Sequence, residues 1–292
     1  MCLIAFAIGA SERWPLVVAA NRDEFLDRPT LPLARWQTAS GQDILSGRDL
    51  RAGGTWMGMT PGGRIAFLTN VRGSRAEAGS RSRGELVTRW LESSDDAAGF
   101  AATLENDGEH YAGFNLVLGD VRQNAWAWVT NKPPAAEASG LRVQWLVPGI
   151  YGLSNAALDT PWPKTVELKQ ALFAALKAGS GQTTRDLQTP LWLALGNRQR
   201  ALPEHLPATG VPLALEEALS SAYVVFPDHA YGTRSSTVLV VTASPADPSQ
   251  AWNVQLEERT YPDRAAEQLT AQPSFAVSRR FTLEWQRPAP AL

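Results

Sequence analysis

Residues 1–25, MCLIAFAIGASERWPLVVAANRDEF, decide the fold. Strand alternation over residues 2–9 sends Cys2, Ile4, Phe6 and Ile8 to one face and Leu3, Ala5 and Ala7 to the other. Both faces are apolar, so the strand belongs inside a layered structure. Residues 10–13 make a polar turn. Residues 15–22 then repeat the doubly apolar pattern and end in Asn21 and Arg22. The simplest pairing is an antiparallel hairpin. It returns Asn21-Arg22-Asp23-Glu24 to the sheet end that carries Cys2. Alternation places Asn21 and Asp23 on one face and Arg22 and Glu24 on the other, so one pair alone faces Cys2 unless a bulge intervenes.

Cys2 is the single cysteine of 292 residues and stands directly behind the initiator methionine. Aminopeptidases remove that methionine when residue 2 is small. What remains is a thiol and a free α-amine on one residue. The amine titrates near ~7.7–8.0, so one residue supplies nucleophile and base. An arginine at the neighbouring strand end would lower the thiol pKa, and a carboxylate there would orient the amine. The competing reading is a small core residue.

Composition narrows the classes. Hydrophobic content of 44% with 19% charged residues fits a folded, water-soluble chain. A net charge of −2 gives no general attraction to nucleic acid or anionic membrane. One cysteine permits no intrachain disulfide and fits a reducing, cytoplasmic compartment. His110, His205 and His229 lie far apart, without metal-ligand spacing. No apolar run approaches ~20 residues, so no transmembrane segment is expected. The apolar start lacks a basic region ahead of it, unlike a signal peptide. No repeat or linker divides the chain, and residues 1–292 read as a single domain.

Further strands are expected near 54–60, 63–70, 113–119, 124–130, 222–226, 235–242, 251–260 and 276–285. Helices are expected at 83–93, 163–178 and 183–195. Ser82-Arg83-Gly84-Glu85 has a capping-box pattern, and Thr160-Pro161 reads as a cap with proline at the first helical position. Strands in pairs with helices between the groups predict an α+β fold: helices on both sides of two stacked, mainly antiparallel sheets.

Several polar groups stand at strand ends. Ala52-Gly53-Gly54-Thr55-Trp56 lacks both phosphate-loop and dinucleotide fingerprints and reads as a turn before a strand. Asn70, Asn115 and Asn155 each put an amide in or beside an apolar segment, where it is either a satisfied buried group or an oxyanion donor. Arg234, at the start of the strongest C-terminal strand, either binds negative charge or pins a loop. Six arginines lie between Arg64 and Arg89, and Arg72, Arg75, Arg81 and Arg83 crowd one Gly/Ser-rich loop. That loop reads as a solvated segment or an anion-binding flap.

Met1-Cys2, Asn21-Arg22-Asp23-Glu24, Ala52-Gly53-Gly54-Thr55-Trp56, Tyr151-Gly152-Leu153-Ser154-Asn155, Leu158-Asp159-Thr160-Pro161-Trp162-Pro163-Lys164 and Tyr231-Gly232-Thr233-Arg234-Ser235-Ser236-Thr237 occur in that order. Together they resemble the NRDE family, also called the transport and Golgi organisation protein 2 family. The resemblance implies the four-layer αββα sandwich of N-terminal nucleophile hydrolases, which need no metal or organic cofactor. Their cysteine members, including bile-salt hydrolases, penicillin V acylase and acid ceramidase, cleave amide bonds of acylated small molecules. It implies catalytic roles for Cys2, Arg22, Asp23, Asn155 and Arg234, with Asn21, Asn70 and Trp56 as substrate contacts. Those relatives carry Arg-Asn-x-Asp where this chain has Asn21-Arg22-Asp23-Glu24. Family links to haem trafficking and lipid homeostasis imply a rival: a non-catalytic carrier for haem or an acylated lipid. The eleven tryptophans and the arginine-rich loop suit such an amphipathic ligand. An acyltransferase using the same cysteine is a third reading.

Overall fold

A computed structural model describes residues 2–73, 79–133, 140–178, 183–243, 251–262 and 275–287. Arg75 of the arginine-rich loop lies outside the described residues. The expected hairpin forms from β1 (Cys2–Ile8) and β2 (Leu16–Phe25), with Cys2 opposite Arg22. The long apolar strand β12 (Tyr231–Thr242) pairs with the other edge of β2, followed by β13 (Trp252–Thr260) and β14 (Val277–Trp285). On the far side of β1 lies β10 (Gly149–Leu153), and β11 (Val225–Phe226) joins the start of β12. All described pairings in this sheet are antiparallel.

The second sheet is a meander in chain order: β3 (Thr30–Gln37), β4 (Asp43–Asp49), β5 (Met57–Met59), β6 (Arg64–Asn70), β7 (Phe114–Asp120), β8 (Ala125–Thr130) and β9 (Arg142–Trp145). Between the sheets pack Phe6, Val18, Phe67, Trp128 and Leu239. Outside the first sheet, Leu3, Ala7, Val17 and Val240 meet α3 (Pro163–Lys177) and α4 (Thr184–Leu195). Outside the second, Ala66 and Leu116 meet α1 (Gly84–Glu92) and α2 (Ala97–Asp107). The period-2 pattern of β1 thus splits between two cores, which makes the molecule a four-layer αββα sandwich. Each large side chain buried this way contributes roughly 1.5–3 kcal/mol.

Local expectations change at the ends of elements. Ser82 does not cap α1: Arg83 is the N-cap residue, without a side-chain cap bond. Instead the N–H groups of Glu85 and Leu86 donate to Ser82 O and Arg83 O, a tighter first turn. Helix α3 starts at Pro163 behind Trp162, two residues later than the Thr160-Pro161 cap implies. The strand expected at 222–226 shrinks to Val225–Phe226, because Tyr223 N donates to Asn197 O outside the sheet.

Candidate active site

The hairpin register sets the site. Cys2 ends β1 directly opposite Arg22, and both face the second sheet. Ser154 Oγ donates to Cys2 O at 3.0 Å and ties the strand end to the segment after β10. Cys2 is half-buried in the floor of a cleft of about 490 Å³, whose walls include Arg22, Glu24, Trp56, Asn70 and Arg83. Burial pushes the Cys2 thiol up. Arg22 and a hydrogen bond from the Asp23 backbone N–H pull it down, but less strongly. The expected lowering by arginine is therefore present and outweighed by desolvation.

Arg22 stacks on Trp56, its guanidinium 4.2 Å from the ring centroid, and lies 3.8 Å from Glu24. Its buried Nη1 has no hydrogen-bond partner among the described residues. Trp56 reaches this position because residue 47 is glycine: a Cβ at Gly47 would meet the Trp56 ring at 2.3 Å. Gly47, inside β4, thus makes room for one wall of the cleft.

Asp23 points away from Arg22, toward the helical layer, yet still borders the cleft. Its Oδ1 accepts from Thr233 Oγ1 at 2.7 Å, and its main-chain O accepts from Tyr231 Oη at 2.7 Å. Burial raises the Asp23 carboxyl, and the charge of Lys164 opposes that rise. Lys164 is itself buried, donates to Leu219 O at 2.8 Å, and is lowered by burial to about 8. In the sequence it stands out only as the last residue of the motif at 158–164.

The lysine makes a prediction with a definite sign. Its folded pKa of about 8 lies below its ordinary 10.5. Between those values the unfolded chain holds more protons, so stability rises with pH. From pH 7.5 to 9.5 this one contribution should be about 2 kcal/mol, read in urea unfolding as the difference between the parent and Lys164→Met, because the raised Cys2 thiol works against it in both proteins. The window stops below 10 because buried Tyr223, Tyr231 and Tyr261, all raised by burial, reverse the trend above it. An identical pH dependence in parent and variant would refute the assignment.

Three sequence candidates stand behind the cleft. Asn21 Nδ2 donates to Leu195 O and Ala222 O, each at 2.8 Å, and its Oδ1 accepts from Ser236 Oγ. The expected substrate contact is instead a buried clasp between sheet and helices. Arg234 Nη1 donates to the main-chain oxygens of Phe25, Leu26 and Arg28, so this arginine pins the loop after β2. It stands at the register shift between Thr233 and Ser235. Asn155 is fully buried, and its Nδ2 donates to Asn70 O and Asn70 Oδ1, both at 3.0 Å. Asn70 itself borders the cleft, and among the described residues its own Nδ2 makes only a 3.5 Å contact with Val71 O. The structure therefore gathers Cys2, Arg22, Asp23, Trp56 and Asn70 at one cleft, with Asn155 holding Asn70 from behind. Asn115 donates to Thr69 and Ala156 and accepts from Trp128, the satisfied buried amide of the alternative reading.

Among the described residues no group of three or more His, Cys, Asp or Glu stands together as a metal site. No helix there is long and apolar enough to cross a membrane.

Two solved structures share this fold loosely. An N-acylethanolamine-hydrolyzing acid amidase ortholog from Caenorhabditis elegans aligns at TM-score 0.47 and 13% identity, covering 82% of this chain and 92% of that one. A mutant conjugated bile acid hydrolase from Clostridium perfringens aligns at TM-score 0.48 and 8% identity, covering 86% and 91%. Sequence relatives are much nearer. The Transport and Golgi organization 2 homolog of Mus musculus is 33% identical over 252 residues, 84% of this chain and 90% of the relative. The Bos taurus homolog is 34% identical over 253 residues, 83% and 89% of the two chains. The family profile described as Transport and Golgi organisation 2 matches residues 1–263, and the chain belongs to that family.

Proposed function

We propose that this chain is an N-terminal-cysteine hydrolase that cleaves a carbon–nitrogen amide, or a related ester, in an acylated small molecule. The observation that carries the reading is the placement of Cys2: the single thiol, at a strand end, on a cleft floor, opposite a buried arginine with a spare donor. After loss of Met1 the α-amine of Cys2 takes the thiol proton as Sγ attacks the acyl carbonyl carbon. The carbonyl electron pair moves to oxygen, and Asn70 Nδ2 and Arg22 Nη1 are the donors assigned to it in this reading. Collapse expels the amine, which leaves with the proton held by the α-amine. Water then cleaves the thioester, releasing the acid and restoring the thiol. Asp23 holds the protonated α-amine in place.

Asn70→Ala is expected to lower kcat by about 10²–10³ with little change in KM, since the donor matters once charge has developed. Asn155→Ala should lower both kcat and melting temperature, because it loosens Asn70 and leaves a buried hole. Steady-state kinetics beside thermal melts separate the two. An unchanged kcat in Asn70→Ala would remove it from the mechanism. The test of the whole reading is product release from a panel of N-acyl compounds, parent beside Cys2→Ala.

One observation favours a carrier on the same fold. A largely apolar groove of about 730 Å³, lined by Val71, Val211, Leu215, Leu219 and Phe226 but also by Arg72, Lys132 and His229, shares Glu24, Asn70, Arg83 and Ala112 with the cleft. Ligand binding without thiol-dependent turnover would identify the carrier.

A further inference from the structure

The arginine-rich segment separates, in the structure, into paired and spare charges. Arg64 lies 3.6 Å from Asp120, and Arg89 lies 2.8 Å from Asp107. Arg81 is paired with Glu85 and Asp107. Arg72 is buried against Glu216 at 2.5 Å. The cleft's other arginines are likewise matched: Arg22 with Glu24, Arg28 with Asp49 at 2.6 Å, and Arg51 with Asp27 at 4.0 Å. Arg83 differs from all of these. Among the described residues it has no carboxylate within 4 Å, and its Nη1 donates to Gly113 O at 3.1 Å. A guanidinium offers five N–H donors and stays charged, so most of its capacity is unspent.

Its position gives that capacity a use. Arg83 borders both the cleft above Cys2 and the apolar groove beside it. It is half-buried on a segment that cannot swing freely. Gly54 lies against Gly84, where a Cβ on residue 54 would meet the Gly84 carbonyl carbon at 2.5 Å, and Thr55 N donates to Gly84 O. Burial works against the Arg83 charge, while Cys2 and Glu24 across the cleft favour it.

We infer that Arg83 is a specificity-determining residue that binds an oxyanion group on an amphipathic acyl ligand, whose chain lies in the adjoining groove. The inference rests on the proposed acyl-bond reading for the position of the carbonyl at Cys2, but the binding claim is testable without turnover. The chemistry selected is a carboxylate or phosphate a few atoms from the acyl carbonyl. Fork geometry suits either oxyanion.

The experiment uses the full chain in a Cys2→Ala background, so that probes are bound and not consumed. Calorimetry compares N-decanoylglycine and N-decanoyl-O-phosphoethanolamine with neutral N-decanoylethanolamine. At least one charged probe should bind about tenfold or more tightly than the neutral one, the scale of one hydrogen bond to a charged group. Which of the two does so separates carboxylate from phosphate recognition. Arg83→Gln should erase the preference and leave the neutral probe unchanged, and Arg83→Lys should restore part of it. The parent's preference should also shrink as salt rises. Equal binding of charged and neutral probes overturns the inference. So does a preference that survives Arg83→Gln, or one indifferent to salt. Charge-selective, Arg83-dependent binding with no turnover by the Cys2 protein upholds Arg83 and sinks the hydrolase. Thiol-dependent turnover that ignores ligand charge does the reverse.

Discussion

Replacing Cys2 with alanine is expected to end turnover, a loss on the order of 10⁶ in kcat for a hydrolase deprived of its only nucleophile. The chain holds no second thiol to take over. The fold should not notice. The β1–β2 register is made by main-chain bonds, and the bond from Ser154 Oγ is to Cys2 O, not to sulfur. Parent and variant should therefore melt together. Alanine is also small enough for Met1 to be removed, so the comparison changes the sulfur and nothing else at the terminus. Intact mass should show both proteins lighter by the initiator methionine. Retained methionine on an active parent would block the α-amine as an amide and refute the self-contained nucleophile and base. Residual activity in Cys2→Ala would move the chemistry to another residue.

Glu216→Ala is expected to destabilise the protein by about 3–5 kcal/mol, the effect of stranding one member of a buried ion pair. Arg72 and Glu216 are both buried, and the pair joins the segment after β6 to α5 (Leu213–Ala218). The Arg72 guanidinium also stacks 4.7 Å from the Trp162 ring centroid. Glu216 Oε1 accepts from Thr209 N and Oγ1 at 2.9 and 2.6 Å, so its loss strands those donors as well. Removing both charges, Arg72→Met with Glu216→Leu, should recover much of the stability, since neither charge is then left alone. Urea unfolding of the single and double variants decides it. A single variant within about 1 kcal/mol of the parent would show that water replaces the pair. Leu215 and Leu219 flank Glu216 and line the groove, so the single variant should also weaken ligand binding there.

The parts of the fold legible in sequence are those where burial on both faces leaves a continuous apolar run. Strands β1, β2 and β12 are of this kind, and the pairing of β1 with β2 follows from one short turn. Strands β3 and β4 escaped because β3 alternates half-buried and exposed positions around Pro32, and β4 contains Gly47 beside charged Arg48 and Asp49. A half-wetted strand, or a buried one broken by glycine and charge, looks like a loop. At the site, sequence singles out the amides of Asn70, Asn115 and Asn155 but does not rank them. Asn155 and Asn70 differ in role only because one amide's Nδ2 is consumed by the other. Arg234 and Arg83 are chemically identical. Three main-chain oxygens converge on the first, while among the described residues the second donates to Gly113 O alone. Those distinctions arise between chain segments 30 to 209 residues apart, which spacing in sequence does not carry.

The end of β1 has a practical meaning for anyone who handles this protein. Because Cys2 opens onto the cleft floor, a polypeptide fused ahead of it must begin inside the ligand's own space. An affinity handle or fluorescent reporter at that end would act as a tethered plug, present at high effective concentration and never diluted away. Negative assays on such fusions would report the plug, not the protein. A handle behind Trp285, at the far edge of the first sheet, leaves the opening clear.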